Sequence, residues 1–262
     1  MRTFLPAVVI LLCSCFAGAA QAQDAQGFST SSLSIAYGWT FQEPDIPDDV
    51  PKNDFTFENA AAGRWWSSYL FVDVLRSWSD ADQNAKEVYG EWYPSMSFLR
   101  VRGRRPLTGL VRDVMVTVGM NTGTRSTGPS PFAILPGTTV ELNVPGFSVV
   151  SVGTFVYIDR GQFQGQPTGC RDVTYLVSPS WVAFVPVGAT RLRFDGFMDI
   201  TGKHDDCEFQ VLTQPQLKID LSPLWGKQDQ VYVGVRFLYW HNKYGITGLR
   251  DKQVLPVFTW VL

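Results

Sequence analysis

The stretch SLSIAYGWTF, residues 32–41, alternates small or polar side chains with large apolar ones. Successive side chains of a β-strand point to opposite sides, so the two kinds of residue separate onto two faces. A strand of about 10 residues with one apolar and one polar or small face is the spanning unit of a membrane β-barrel. The stretch therefore predicts a barrel wall in which one face contacts lipid. That face carries Leu33, Ile35, Tyr37, Trp39 and Phe41.

The same alternation returns in three later segments. In residues 191–200 the charged residues and Phe197 alternate with large apolar residues, and in residues 213–221 Gln, Lys and Asp alternate with Pro, Leu and Ile. Residues 254–262 carry Val, Pro, Phe, Trp and Leu at every second position. Long polar connections and tight turns alternate between such segments, which gives about twelve strands. The predicted fold class is all-β, a transmembrane antiparallel β-barrel of about 12 strands.

A soluble β-sandwich also has short alternating strands and frequent turns. Its outward faces should be polar, whereas here one face repeatedly carries large aromatic residues and the other carries charges. Aromatic residues make up 14% of the chain, with 9 Trp, and aromatic girdles at the two membrane interfaces would accommodate them. The pattern favours the barrel.

The N-terminus has the features of a cleaved signal peptide. Arg2 precedes the apolar run 4–16, and Ala20–Ala22 provides an A-x-A cleavage site. We expect residues 1–22 to be removed and residues 23–262 to form an outer-membrane β-barrel in a bacterium. A membrane anchor would need roughly 20 apolar residues, more than this run supplies. A lipoprotein signal is the other alternative, because residues 12–15 loosely fit a lipobox. The expected partners are outer-membrane lipid and the barrel-assembly machinery.

The charge distribution argues against nucleic acid as a partner. The formal net charge is -2, and the two signs are interspersed without a basic stripe that could neutralise phosphates.

Two cysteines remain after the predicted signal, in a compartment where disulfides persist. The tight connection Pro186 to Ala189 lies midway between Cys170 and Cys207. An antiparallel hairpin folded there brings the two cysteines opposite each other at the extracellular rim, so we predict a disulfide between them.

Six segments, in order along the mature chain, carry a family resemblance: FTFENA at 55–60, YLFVD at 69–73, YGEWYPSMS at 89–97, FDGF at 194–197, LTQPQL at 212–217 and LYWHNKYGI at 238–246. They resemble the nucleoside-specific channel-forming porin family, the Tsx-like and related vibrio-type outer-membrane porins. The resemblance implies a twelve-stranded barrel with a narrow channel for nucleosides, and some members of that family serve as bacteriophage receptors. The chain departs from the usual pattern by ending in Leu262 rather than an aromatic residue.

A solute in a twelve-stranded barrel would pass in contact with the wall. A nucleoside offers an aromatic base, for which stacking contributes about 1–3 kcal/mol in nucleic-acid sites, and ribose hydroxyls. We predict Phe197 and Tyr93 as stacking surfaces. The same inward charges could instead pair across strands and stabilise the wall. The predicted hydrogen-bonding residues of the lumen are Glu58, Asp73, Glu91, Arg193, Asp195, Asp199 and Arg236.

Catalysis, metal binding and cofactor binding are not expected. Outer-membrane barrel hydrolases need a Ser activated by His, and the sequence places no Ser beside His204 or His241. The loop at 203–207 resembles a metal site only superficially, since its cysteine has a better partner. We predict a channel for passive uptake of nucleosides or similar small polar solutes. The alternative is a surface binding, adhesion or phage-receptor barrel with a plugged lumen.

Overall fold

The computed structural model describes residues 27–44, 46–82, 86–103, 107–124, 129–163, 170 and 172–262. Nearly all of them lie in β-strands. The helical turns in these ranges are α1, Phe98–Val101, and two 3-10 turns at Ser222–Trp225 and Lys243–Gly245. No helix of the described ranges is long and apolar enough to cross a membrane. The predicted signal peptide lies outside the described residues.

Twelve antiparallel strands form the wall, and β1 pairs with β12 to close the barrel. The predicted fold class is confirmed. The strands are β1 Phe28–Glu43, β2 Ile46–Ala62, β3 Trp66–Ser77, β4 Lys86–Ser97, β5 Val111–Thr124, β6 Phe132–Leu142, β7 Val149–Asp159, β8 Val173–Val187, β9 Thr190–Thr201, β10 Gln210–Thr213 with Gln216–Asp220, β11 Val231–His241 and β12 Arg250–Val261.

Strand β10 is in two pieces because Pro215 has no N–H to donate to the ladder. Both pieces keep one register with β9 and one with β11. They therefore form a single wall strand. A two-stranded ribbon, Pro129–Ser130 with Gln162–Phe163, lies outside the wall sheet.

The predicted faces of β1 hold as far as Trp39 and fail at Phe41. Leu33, Ile35 and Trp39 are exposed on the outside of the barrel, whereas Phe41 is only 5% exposed and packs inside. The pairing of β1 with β2 shifts register between Gly38 and Phe41. An extra residue in a strand reverses the alternation beyond it, so the prediction that Phe41 faces lipid is wrong.

The outer surface carries an apolar belt. On β12 the outward side chains change from Arg250 and Lys252 at the outer end to exposed Val254, Phe258 and Trp260 further along the strand. Such a belt, flanked by charge and by aromatic residues, is typical of a strand that crosses a bilayer.

Apolar side chains also occupy part of the interior. Because these residues point inward and are almost fully buried, they fill space between the walls, and the polar lumen is confined to the rest of the cross-section. One cluster contains Ala36, Phe41, Val50, Leu238, Leu255 and Val257, and the other contains Ala133, Leu135, Phe155 and Leu176.

The predicted disulfide is present between Cys170 and Cys207, with their Cα atoms 5.2 Å apart. The β8–β9 hairpin ends in the pair Val187↔Thr190, and its register, continued outward, sets the two cysteines opposite each other. Gly245 packs on this bridge. It has a positive φ of 77°, and a Cβ added there would lie 2.4 Å from the Cys207 sulfur, so only glycine fits.

Candidate lumen site

The nine predicted site residues all lie on the lumen face of their strands, because each occupies an inward-pointing position in the alternation of its strand. The structure places eight of them in two groups, with Phe197 between the groups. Glu58 is on β2, Asp73 on β3, Glu91 and Tyr93 on β4, Arg193, Asp195, Phe197 and Asp199 on β9, and Arg236 on β11.

The first group, the paired cluster, contains three cationic side chains among four carboxylates. Arg236 Nη1 donates to Asp54 Oδ2 at 2.5 Å. Lys218 Nζ contacts Asp195 Oδ2 at 3.1 Å. Arg193 Nε lies 3.1 Å from the other oxygen, Asp195 Oδ1. The members are Asp54, Glu58, Asp73, Arg193, Asp195, Lys218 and Arg236.

Glu58 joins the two sides of the paired cluster. It accepts hydrogen bonds from the hydroxyls of Tyr69, at 2.8 Å, and Ser32, at 3.3 Å. Lys218 and Arg193 attract its carboxylate electrostatically from strands on the other side of the lumen. Tyr69 is 40% exposed although it points inward, whereas Lys218 is 1% exposed. Water therefore reaches the cluster at Tyr69, while its centre is closed by ion pairs.

The second group, the acid–tyrosine cluster, contains Tyr89, Glu91, Tyr93, Tyr157 and Asp199. Glu91 on β4 and Asp199 on β9 come from nearly opposite walls, yet their carboxylates interact electrostatically. The Tyr89 hydroxyl donates to Glu91, and the Tyr93 hydroxyl donates to Asn121 at 3.1 Å. The lumen is therefore narrow at this level.

The acidic groups of the acid–tyrosine cluster have no cationic partner. In the part of the chain that the structure describes, neither Glu91 nor Asp199 forms an ion pair, and Asp199 Oδ1 is buried without a hydrogen-bond partner. Asp199 and two of the tyrosines, Tyr89 and Tyr93, are nevertheless only half-buried, so part of each residue is accessible to solvent.

Phe197 connects the two clusters. It is half-buried on the inward face of β9, between Asp195 of the paired cluster and Asp199 of the acid–tyrosine cluster. A solute that touches Phe197 is thus close to both clusters.

A third group, the outer network, lies at the end of the barrel opposite Phe28 and Val261 and was not predicted. Lys52 Nζ contacts Glu43 and Glu87 at 2.8 Å each and Asp82 at 3.2 Å. Lys243 Nζ contacts Glu43 at 2.9 Å and Asp251 at 2.8 Å. Asp82 and Lys243 lie in connections between strands, where the two-residue alternation of a strand does not apply, so no sequence pattern indicates that they meet. These buried ion pairs close one side of the outer mouth.

His204 belongs to the loop that carries Cys207. Its Nε2 lies 3.2 Å from Asp159 Oδ2 and its Nδ1 lies 3.1 Å from the Gly202 carbonyl oxygen. Burial opposes the charged form, but these contacts outweigh it and raise the pKa of His204 above its ordinary value. No Ser is hydrogen-bonded to His204 or His241 in the described ranges, and no three metal-ligating residues gather there.

No protein family profile and no curated protein sequence matches the chain. Among the solved structures that are similar to it are two whose chains it covers almost completely. One is the KdgM porin, with 9% sequence identity and a TM-score of 0.44 over 89% of this chain and 98% of that chain. The other is a bacterial polysaccharide outer membrane secretin, with 12% identity and a TM-score of 0.42 over 90% and 98%. At these values the comparisons assign no residue roles.

Proposed function

We propose that the protein is an outer-membrane channel for the passive uptake of nucleosides or similar small polar solutes. The observation that carries the proposal is the half-buried lumen surface formed by Phe197, Tyr89, Tyr93 and Asp199. It offers aromatic faces for a base and carboxylate oxygens for hydroxyl and amino groups. Because Glu91 and Asp199 approach from nearly opposite walls, a solute at this level would contact both sides at once.

The location follows from the outward apolar belt together with the predicted signal peptide. We expect the mature protein in the outer-membrane fraction after insertion by the barrel-assembly machinery. It should migrate differently on gels before and after boiling, because a closed barrel resists detergent until heated. Recovery as a soluble periplasmic protein would contradict this location.

A second function, surface binding by a barrel with a plugged lumen, is favoured by a separate observation. The outer network buries six charged side chains at the extracellular end, and two apolar clusters occupy interior space. A barrel closed in this way could present its loops to a partner without conducting.

Conductance in planar lipid bilayers separates the two functions. The purified protein should form small channels whose ion current falls when nucleoside is added, and free base or free sugar should block less. Phe197→Ala should weaken the block. Arg193→Ala and Asp195→Ala should change the conductance. Phe194→Ala is the matched control, because Phe194 is the neighbouring ring on the outer face, and it should leave block and conductance unchanged.

The possible outcomes are distinct. A folded barrel that never conducts would support the plugged, surface-binding function. Conductance that nucleosides do not alter would leave a general porin and contradict nucleoside uptake.

A further inference from the structure

We propose that the acid–tyrosine cluster is a binding site for small organic cations. The inference deepens the proposed channel function by naming a substrate class: solutes that carry a protonated amine next to an apolar or aromatic body. The argument rests on charge balance, on an unpartnered buried oxygen and on the surrounding rings.

The charge balance differs from that of the paired cluster. There, Arg193, Lys218 and Arg236 compensate the neighbouring carboxylates. Glu91 on β4 and Asp199 on β9 have no such base in the described ranges, although they interact with each other electrostatically. Two carboxylates that share a confined site repel each other strongly where the dielectric is low. A cation bound between them would remove that repulsion.

The geometry leaves a place for a donor. Glu91 is 7% exposed, and Asp199 Oδ1 is buried without a hydrogen-bond partner. A buried carboxylate oxygen without a donor is costly. An ammonium group has three N–H donors and no acceptor, so it can bind Asp199 Oδ1 and a Glu91 oxygen together.

The aromatic rings complete the site. The Tyr89 hydroxyl donates to Glu91, and Tyr93 and Tyr157 are close enough to Glu91 to interact with it electrostatically. Cations bind over the faces of tyrosine rings. Tyr93 is further fixed by Phe155, with ring centroids 5.6 Å apart. Carboxylates and rings together suit an organic ammonium ion better than a strongly hydrated metal ion.

Binding is tested first, on the folded protein in neutral detergent by isothermal titration calorimetry. The probes are three solutes of similar shape: 2-phenylethylammonium, the neutral 2-phenylethanol and the anionic 3-phenylpropionate. We expect the cation to bind most tightly and the anion least. In Glu91→Gln/Asp199→Asn the affinity for the cation should fall about tenfold or more, the equivalent of roughly 1.4 kcal/mol, while the affinity for the alcohol changes little.

The control variant loses a single charge at a different place in the barrel. Asp48→Asn removes one exposed acidic charge near the start of β2 and should leave all three affinities unchanged. The heat-dependent gel shift reports whether each variant is folded. If the double variant does not fold, Asp199→Asn alone is the test, because Glu91 then keeps its tyrosine partner. Equal binding of the three probes, or cation binding that survives removal of both carboxylates, would overturn the proposal.

Bilayer recordings separate this inference from the channel function. Wild-type channels should select cations over anions in a salt gradient and should be blocked by 2-phenylethylammonium. Channels that nucleosides block but that show no preference for cations would overturn the cation site and leave nucleoside uptake standing. Cation binding in calorimetry by a barrel that never conducts would support the site and contradict the channel.

Discussion

The paired cluster and the acid–tyrosine cluster share one lumen but satisfy their charges differently. In the first, Arg236 and Lys218 are buried against carboxylates of other strands. In the second, Glu91 and Asp199 face each other without a base in the described ranges. Removal of either partner of a buried ion pair is strongly destabilising. An uncompensated buried charge, in contrast, destabilises the folded protein until a ligand binds. The difference indicates that one half of the lumen stabilises the wall and the other half is available to a solute.

Breaking the paired cluster should have the largest effect. Arg236→Met leaves Asp54 buried without its cation, which typically costs about 3–5 kcal/mol. Urea unfolding of the barrel in lipid vesicles, followed by tryptophan fluorescence, measures the loss. Arg250→Met is the control, because Arg250 is exposed at the outer end of β12, and it should change the free energy of unfolding by about 0.5 kcal/mol or less. Equal effects of the two variants would contradict the structural role of the paired cluster.

The acid–tyrosine cluster can be disturbed without touching its charges. A Cβ at Gly119 would lie 2.5 Å from the ring of Tyr93 and 3.2 Å from Leu135 Cβ. Gly119→Ala should therefore displace Tyr93, cost about 1–3 kcal/mol through overpacking and weaken the nucleoside block. Gly109→Ala, where a Cβ meets nothing within 4 Å, should do neither. An unchanged block in a folded Gly119→Ala barrel would exclude Tyr93 from the solute path.

Removal of an uncompensated carboxylate should change the stability of the barrel in the opposite direction. Asp199→Asn keeps the shape of the side chain and relieves the repulsion with Glu91, so we expect the barrel to be unchanged in stability or stabilised by about 1 kcal/mol. The same urea experiment measures it. A destabilisation as large as that of Arg236→Met would mean that Asp199 is a wall residue like those of the paired cluster, and the contrast between the two halves would disappear.

The sequence predicted which face of each strand points inward, but it did not predict which charged residues form ion pairs. The alternation in 191–200 and 213–221 placed Asp195, Asp199 and Lys218 inward, because a period of two needs only local sequence. The bond between Arg236 and Asp54 joins residues 182 positions apart, and no local pattern relates them. The prediction for Phe41 was wrong because a local bulge reversed the alternation of the strand before that residue. The cysteine pair was predictable because one hairpin turn fixes both positions.

A base, His204, lies beside the outer edge of the acid–tyrosine cluster, and its replacement gives the most local of the predicted effects. The ring centroid of His204 lies 5.9 Å from that of Tyr157. Burial disfavours the charged form of His204, but its contacts with Asp159 and Gly202 raise its pKa in the folded protein. A raised folded-state pKa means that the stabilisation is fully present below the ordinary value of about 6.5 and is lost as the pH rises through the folded-state value.

We therefore expect the loop at 202–208 to become easier to open as the pH increases from 5.5 to 8.5. Its proteolysis, or its amide hydrogen exchange corrected for the intrinsic pH dependence, measures the opening. His204→Gln should remove most of the pH dependence and cost no more than an ordinary hydrogen bond, about 0.5–1.5 kcal/mol. His241→Gln is the matched control and should leave the pH dependence of the loop unchanged. A loop that opens more readily at pH 5.5 than at pH 8.5 would show that protonation of His204 breaks the contact with Asp159 rather than strengthening it. Protonated His204 would then not stabilise the outer edge of the acid–tyrosine cluster.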